Sequence, residues 1–179
     1  MLETVKQILK FYVENQKIPS LWDLNLSDDI KALQDKKWSV FVTLYKSWEI
    51  CGSMWNIMPI EANFIDELIK STVEAIIDKR YTEITILDVE NIKIRIDLIK
   101  NKKLLDSNQV KISTIKPLKT WIIAIKNNYE KLAVVLPNIS ISIKDWVDLY
   151  KVLNYKLDEE FKETNYILYE FETTTFTDF

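Results

Sequence analysis

The sequence predicts an α+β fold in which two similar, strand-rich halves share one hydrophobic core. The stretch NIKIRIDLIK alternates apolar and polar residues with the period of a half-buried strand. The stretch FIDELIKSTVEAIIDK instead repeats apolar residues at helical spacing. The order strand, strand, helix, strand then occurs twice, in approximately residues 38–103 and approximately residues 118–176.

The N-terminal part, residues 2–36, is predicted to be helical. In LETVKQILKFYVEN the apolar residues fall on one face of a helix. We expect Pro19 to end this helix, because proline cannot continue the hydrogen-bond ladder. A short second helix is expected after Ser27, whose hydroxyl suits an N-cap.

The first half, residues 38–103, begins with a predicted β-hairpin. WSVFVTLYK and EICGSMWNIM are rich in β-branched and aromatic residues, and a turn is expected near Lys46 and Ser47. Asn63 is a suitable N-cap for the helix FIDELIKSTVEAIIDK. In the strand NIKIRIDLIK, the apolar residues that share one face are Ile92, Ile94, Ile96 and Leu98.

The second half, residues 118–176, repeats this order. TWIIAIKNN and EKLAVVLPN predict a hairpin with its turn near Asn127 and Asn128. Ser142 is expected to cap the helix IKDWVDLYKVL, and NYILYEFETTTF predicts a closing strand. Tryptophan opens the first strand and proline ends the second strand in both halves, at Trp38, Pro59, Trp121 and Pro137. We interpret the repeated order as an internal duplication, with chance as the alternative.

The two halves are expected to form a single domain over residues 1–179. The segment between them, LLDSNQVKISTIKP at 104–117, is still rich in isoleucine and leucine and lacks the composition of a flexible linker. A chain of this length buries roughly 70% of the surface that it exposes when unfolded. One shared core is therefore the simplest prediction.

The chain contains no histidine, one glycine and one cysteine, and these counts exclude several classes of function. Ser-His-Asp triads, Cys-His pairs and imidazole-based zinc sites need histidine. Phosphate-binding loops and dinucleotide fingerprints need several glycines. We expect no metal site and no cofactor. One cysteine cannot form an internal disulfide, and no apolar run reaches the length of a membrane span, so a cytoplasmic protein without membrane association is expected.

The net charge of −3 argues against nucleic acid as a partner. The cations are nearly all lysine, and the two arginines are Arg80 and Arg95. Bidentate recognition of phosphate or guanine prefers the planar fork of arginine. We therefore expect no nucleic-acid partner.

Several short motifs, in order along the chain, resemble those of the AMMECR-type family, named from a human chromosomal region linked to Alport syndrome with elliptocytosis. The family typically shows FVTL, a short turn, then Leu-Arg-Gly-Cys-Ile-Gly and a proline; here FVTL stands at 41–44 and Pro59 closes the phrase. DKRYTEIT at 78–85 is similar to the family's Asp-Pro-Arg-Phe followed two residues later by Leu-Thr. VLPNI at 135–139 and LYEFE at 168–172 resemble two later family motifs.

This resemblance runs from about residue 2 to residue 176. It implies that the two strand-rich repeats share one barrel-like, mainly antiparallel sheet with helices packed outside. It implies no specific reaction, because the family has no settled biochemical activity. Members tend to occur alongside Memo-type proteins and radical S-adenosylmethionine enzymes, so a protein partner from such a system is expected by analogy only.

The family phrase Leu-Arg-Gly-Cys-Ile-Gly is altered in this chain. Aligned without gaps, it falls on residues 50–55: Gly52 is kept, the arginine becomes Cys51, the cysteine becomes Ser53 and the last glycine becomes Trp55. A rival alignment matches Cys51 to the family cysteine and shortens the hairpin turn by two residues. Strand periodicity places Cys51, Ser53 and Trp55 on one face in both alignments.

Cys51 and Ser53 are the candidate catalytic residues, but a structural role is favoured for Cys51. The altered phrase supplies no cation to lower the pKa of the thiol, and the neighbouring Glu49 would oppose thiolate formation. A buried cysteine without a cation usually acts as a small hydrophobic residue. A reactive thiol would need a cation from elsewhere, such as Arg80 or a lysine.

Gly52, Trp55, Asp78 and Arg80 are the candidate binding residues, and each has a structural alternative. Gly52 allows a β-bulge or a close approach of the backbone to a ligand, or it packs against a tryptophan. Trp55 lines a pocket or belongs to the core. Asp78 and Arg80 bind a ligand, or form an ion pair that orders their loop.

The sequence therefore predicts a binding or accessory protein whose signature site has diverged, with a non-catalytic role favoured. The partner is expected to be a protein or a small molecule. The alternative is an enzyme or enzyme component that acts on a small substrate in a pocket around Cys51 and Ser53.

Overall fold

The structure is a computed structural model that describes four ranges of the chain, residues 1–56, 58–105, 121–135 and 143–179. It divides into two compact units: unit 1 comprises residues 1–99 with 174–179, and unit 2 comprises residues 100–173. Helices and antiparallel strands occur in both units, so the predicted α+β fold with a mainly antiparallel sheet is confirmed. The single domain over the whole chain stays a prediction.

Unit 1 contains the N-terminal helices and the first hairpin. Its elements in chain order are α1 (Leu2–Asn15), α2 (Asp28–Lys31), β1 (Val40–Lys46), β2 (Glu49–Trp55), α3 (Phe64–Ile76), the first part of β3 (Lys93–Leu105) and the end of β6 (Tyr166–Thr177). β1 pairs antiparallel with both β2 and β3. The strand order in this unit is therefore β2-β1-β3, with β6 next to β3.

The core of unit 1 forms between α1, α3 and the apolar face of the strands. The predicted alternation is confirmed, because the four apolar residues that were expected to share one face are buried, namely Ile92, Ile94, Ile96 and Leu98. α3 begins as predicted: the Asn63 side chain accepts hydrogen bonds from the N–H groups of Ile65 and Asp66, each at 3.0 Å. This cap fixes the start of the helix and hence the position of its apolar stripe against the sheet.

The prediction that Pro19 ends the first helix was wrong. α1 already ends at Asn15, and Gln16 follows with a left-handed φ of 53°. The N–H of Gln16 donates to the carbonyl of Tyr12 at 2.8 Å. A residue in this conformation turns the chain away from the helix axis while still satisfying a terminal carbonyl, so the proline is not needed as a breaker.

Unit 2 contains the second hairpin and its helix. Its elements are the end of β3, β4 (Trp121–Lys126), β5 (Leu132–Val135), α4 (Trp146–Leu157) and most of β6. β4 pairs antiparallel with both β5 and β6, which gives the order β6-β4-β5. The predicted turn near Asn127 and Asn128 is confirmed, and the Lys126 N–H closes it by donating to the carbonyl of Lys131 at 2.9 Å.

The start of α4 differs from the expected one. The Asp145 side chain accepts hydrogen bonds from the N–H groups of Val147 and Asp148, at 2.8 and 3.1 Å, so the helix begins at Trp146. Ser142, the expected cap, lies outside the described residues. So do Pro137 and most of the motif VLPNI.

The two units arrange their elements in the same way. The hairpins β1–β2 and β4–β5 are each followed by a helix and then by a strand that pairs with the first strand of the hairpin. Each helix begins at a residue, Asn63 or Asp145, whose side chain accepts two backbone N–H groups. The internal duplication itself stays a prediction. Among the described residues, no helix has both the length and the apolar character that crossing a membrane requires.

Candidate functional site

The candidate site is built around β2, the strand that carries the altered family phrase. A two-residue turn joins β1 to β2, and in it Ser47 and Trp48 adopt left-handed φ angles of 53° and 69°. Two successive positive φ angles match the twist of the flanking strands. The turn predicted near Lys46 and Ser47 is therefore confirmed, and it places Lys46 opposite Glu49.

A β-bulge interrupts this hairpin at Cys51. Leu44 pairs with Gly52, but the next residue of β1, Tyr45, pairs with Ile50. Cys51 is therefore an additional residue in β2 without a counterpart in β1. A bulge of this kind bends the strand and changes the direction of the neighbouring side chains.

The bulge changes the surroundings of Cys51. The side chain is half-buried and packs against the hydrophobic core of unit 1, as does Met54. The strict alternation that was predicted to place Cys51 with Ser53 and Trp55 on one face is interrupted at this point. Strand periodicity alone does not describe the direction of this thiol, because the bulge adds one residue to the count.

Gly52 lies directly against the backbone of α3. A Cβ atom at this position would come within 2.1 Å of the carbonyl oxygen of Ala75. The neighbour is therefore the helix backbone. The alternative prediction, that Gly52 packs against a tryptophan, was wrong. The glycine allows β2 and α3 to approach more closely than any other residue would permit.

Asp78 and Arg80 form an ion pair that also holds Ser53. The Arg80 Nε donates to Asp78 Oδ1 at 2.9 Å, and Nη2 donates to Oδ2 at 2.6 Å. Nη2 also lies 3.0 Å from both the carbonyl oxygen and the Oγ of Ser53. The N–H of Ser53 donates to Asp78 Oδ2 at 3.1 Å. The loop after α3 is therefore tied to β2 by both partners of the ion pair.

The electrostatics of this pair follow from the hydrogen bonds. The guanidinium of Arg80 holds the pKa of Asp78 below its ordinary value, chiefly by donating hydrogen bonds to the carboxylate. The Asp78 side chain is nearly buried, whereas 65% of the Arg80 side chain is exposed. Arg80 is therefore accessible to a ligand even though one edge of its guanidinium is occupied.

Trp55 contacts the neighbouring strand. Its ring stacks on that of Phe41 with 6.0 Å between the centroids and an angle of 9° between the planes. Trp55 is half-buried and Phe41 is buried. Stacked aromatic pairs across two strands stabilise a hairpin, and this contact gives Trp55 a structural role in addition to any binding role.

A groove of about 450 Å³ opens beside the bulge, and we call it the hairpin groove. Its lining includes Lys46, Cys51, Arg80, Tyr81 and Asp88. The ammonium of Lys46 lies 2.5 Å from Asp88 Oδ1, and the Arg80 guanidinium lies over the ring of Tyr81 with 5.6 Å to the centroid. The groove thus brings the thiol and two cations together, and each cation already has a carboxylate partner.

The thiol of Cys51 is a poor nucleophile in these surroundings. Burial raises its pKa from 9.0 to about 11; Lys46 opposes this increase and Asp88 adds to it. The thiolate is the reactive form of cysteine, and at neutral pH almost none of it is present. A cation, Lys46, does lie near the thiol, but Asp88 neutralises it. The geometry therefore agrees with the expectation that no cation activates Cys51.

The pairing of Lys46 with Asp88 was not predicted from the sequence. The two residues are distant in the chain, and no local pattern relates them. The local surroundings of Asp88 were predictable, because Thr85 donates to its Oδ2 from both N–H and Oγ1 at 2.9 Å. A threonine followed three residues later by an acid is typical of such local hydrogen bonding.

Comparison with known proteins identifies the family of this chain. A family model described as AMMECR1 matches residues 2–176. The chain belongs to the AMMECR1 family. The resemblance indicated by the short motifs is therefore confirmed, with the same extent along the chain.

A solved structure supports the AMMECR1 fold. The uncharacterised protein PH0010 from Pyrococcus horikoshii matches with a TM-score of 0.80 and 16% sequence identity, over 98% of this chain and 88% of that chain. At this identity the likeness concerns the fold alone. No curated protein matches this chain.

The phrase that was compared with the family motif lies on β2, where it carries Cys51 and Ser53. Here the guanidinium that contacts the strand comes from Arg80, in the motif after α3. This guanidinium contacts Ser53. The cation that acts on Cys51 is Lys46, which lowers the pKa of the thiol and is itself paired with Asp88.

Proposed function

We propose that this AMMECR1-family chain is a binding or accessory protein that holds a small polar ligand in the hairpin groove without covalent catalysis. The observation that carries the proposal is the state of Cys51, whose half-buried thiol has its pKa raised to about 11. A nucleophilic cysteine needs a lowered pKa or an adjacent base. The pKa of Cys51 is raised instead, and Lys46 beside it is paired with Asp88, so the proposed role of the groove is recognition.

The exposed guanidinium of Arg80 favours a ligand with a carboxylate or a similar anionic group. The Arg80 side chain is 65% exposed and lines the groove. Its Nε and Nη2 are engaged by Asp78 and Ser53, so Nη1 is the nitrogen that would donate to a ligand carboxylate. Glu49, Glu83 and Asp88 also line the groove and suit a ligand that carries hydrogen-bond donors beside its anionic group.

The partners and the location are proposals by analogy and composition. A protein partner of the Memo type or from a radical S-adenosylmethionine system fits an accessory role, on family association alone. A cytoplasmic location fits a chain with a single, unpaired cysteine. Nucleic acid does not fit a chain with net charge −3.

An enzyme remains the second candidate, and one observation favours it. Cys51 lines a concave groove together with Lys46 and Arg80, which is the arrangement that a reactive thiol would need. In an enzyme, one of these cations would have to activate the thiol while it is paired with its carboxylate. Ser53 would then be held in place by Arg80.

Thiol alkylation separates the two candidates. The rate of iodoacetamide modification of the native protein is measured against pH and compared with that of the protein unfolded in urea. For a binding protein we expect slow native modification at neutral pH, with a rate that still rises beyond about pH 10. Fast native modification that levels off below about pH 8 would establish a reactive thiol and overturn the proposal.

Ligand binding is tested with small carboxylates and inorganic phosphate, by the shift that each causes in the melting temperature. Binding stabilises the folded state by mass action, so a ligand of the groove raises the melting temperature. We expect the shift to persist in Cys51→Ala and to decrease in Arg80→Gln. A shift that needs the thiol and not the guanidinium would contradict a recognition role for Arg80.

A further inference from the structure

A second groove in unit 1 is lined by apolar residues and lies beside α3. It has a volume of about 430 Å³, and its apolar lining includes Ile18, Ile69, Val73 and Ile77. We call it the α3 groove. Ile69, Val73 and Ile77 follow one another at intervals of four residues, so they form one continuous stripe along the helix. Ile69 and Val73 are buried, whereas Ile18 is 67% and Ile77 is 52% exposed.

This arrangement exposes apolar surface that a folded chain usually covers. Two isoleucines that are more than half exposed flank a floor of buried side chains. Burial of such side chains against a partner is favourable in proportion to the apolar area removed from water. Contiguous apolar patches of this kind, rimmed by polar residues, are typical of interaction surfaces.

The rim of the α3 groove is acidic. Glu61, Asp66 and Glu74 line it together with one cation, Lys70. Lys70 is paired with Glu61 at 2.9 Å. Asp66 and Glu74 therefore leave the rim with an excess of negative charge.

One oxygen of the Glu74 carboxylate is unusual in its surroundings. Its Oε2 is buried and, among the described residues, has no hydrogen-bond partner. Buried carboxylate oxygens almost always have a donor. Within the part of the chain that the structure describes, the Glu74 carboxylate therefore lacks part of its usual hydrogen bonding, and a cationic group beside the rim would offset its charge.

We propose that the α3 groove binds an amphipathic helix of a partner protein that carries apolar residues on one face and lysine or arginine beside them. The stripe from Ile69 to Ile77 is about 12 Å long at 1.5 Å per residue, which matches about two turns of a bound helix. Apolar residues at positions i, i+4 and i+7 of the partner fill such a groove. The flanking cations pair with Asp66 and Glu74.

The charge of the rim selects this occupant over two others. A second copy of the chain that used the same groove would bring two acidic rims together, and such a contact is unfavourable. An anionic lipid surface is repelled for the same reason. The proposal goes beyond ligand binding in the hairpin groove and does not depend on it, because the two grooves use different residues.

The test selects helical peptides of about 14 residues from a randomised display library against the full chain. Enriched peptides are then measured by fluorescence polarisation against the unaltered chain and against Ile18→Lys, Ile77→Lys and Glu74→Gln. Tyr155→Lys is the matched control, because Tyr155 is 87% exposed and lies on α4. Native-like circular dichroism and unchanged alkylation of Cys51 show that each variant remains folded.

We expect the enriched peptides to share an apolar i, i+4, i+7 pattern flanked by lysine or arginine. Their affinity should fall at least about tenfold in Ile18→Lys and in Ile77→Lys, since each change places a charge in an apolar contact. Glu74→Gln should weaken binding and reduce its salt dependence, and Tyr155→Lys should leave the affinity unchanged.

Three outcomes would overturn the proposal. The first is a consensus without basic residues, or with acidic ones. The second is peptides that bind equally well to Ile77→Lys. The third is a dimer in sedimentation experiments that disappears in Ile77→Lys, because the groove would then be occupied by a second copy of the chain.

Discussion

The Nη2 of Arg80 donates a hydrogen bond to the Oγ of Ser53 at 3.0 Å, which joins the loop after α3 to the middle of β2. The same loop reaches the strand a second time, because the N–H of Ser53 donates to Asp78 at 3.1 Å. These contacts explain how an ion pair on one loop holds the altered signature strand in place. They also predict that changes in the loop and in the strand affect the stability of the protein together, which can be measured.

We expect the effects of Asp78→Asn and Arg80→Gln on the free energy of unfolding to be coupled. A double-mutant cycle should give a coupling energy of about 1 kcal/mol. This energy is small because the Arg80 side chain is largely exposed. The pKa of Asp78 is lowered in the folded protein. The ion pair therefore contributes stability above the ordinary pKa of 3.8, and this contribution is lost as the pH falls through the folded value. Chemical denaturation at several pH values checks both. Equal, additive effects of the two changes would contradict the coupling.

Gly52→Ala should destabilise unit 1 strongly. The added Cβ would lie 2.1 Å from the carbonyl oxygen of Ala75, and a helix backbone cannot move aside as a flexible side chain does. We expect a loss of about 1–3 kcal/mol or more in urea denaturation. Glu49→Ala, at an exposed position of the same strand, is the control and should change the stability little. A neutral Gly52→Ala variant would show that β2 and α3 separate without cost.

Asp88→Asn should make Cys51 more reactive. Asp88 raises the pKa of the thiol and Lys46 lowers it, so removal of the carboxylate charge leaves the ammonium free to stabilise the thiolate. We expect iodoacetamide modification of the native protein near pH 8 to become about threefold to tenfold faster. Lys46→Met should have the opposite effect. An unchanged rate in both variants would mean that burial alone controls the thiol.

The helix caps should contribute unequally to stability. Asn63→Ala and Asp145→Ala each remove a side chain that accepts two backbone N–H groups, and each should cost about 1 kcal/mol. Ser27 precedes α2, but its side chain makes no capping hydrogen bond. The loss of stability in Ser27→Ala should therefore be only a few tenths of the loss in the other two variants. Thermal denaturation of the three variants checks the order. A large effect of Ser27→Ala would contradict it.

The sequence was sufficient for the elements whose signal is local. The alternation in β3 and the cap at Asn63 depend on neighbouring residues and were predicted correctly. The end of α1 was not, because Gln16 has no strong preference for the left-handed conformation. In the structure that conformation is accompanied by the hydrogen bond from the Gln16 N–H to the carbonyl of Tyr12.

The candidate site was predictable only in part. The family motifs indicated β2 and the Asp78–Arg80 pair, and the structure brings Arg80 to Ser53. Gly52 indicated that this strand could contain a bulge, but the position of the extra residue at Cys51 depends on the register between two strands. The pairing of Lys46 with Asp88 is equally non-local, and it is one of the contacts that bear on the charge state of the thiol.

The division of the chain into units has a consequence for synthesis on the ribosome. Residues 1–99 of unit 1 are translated before unit 2, but unit 1 also includes residues 174–179, which follow all of unit 2. In that segment the Asp178 side chain accepts from the N–H of Ile94 at 2.8 Å and pairs with Lys6 at 3.0 Å. The β6-facing edge of β3 in unit 1 therefore stays unpaired until all of unit 2 and then residues 174–179 have been translated.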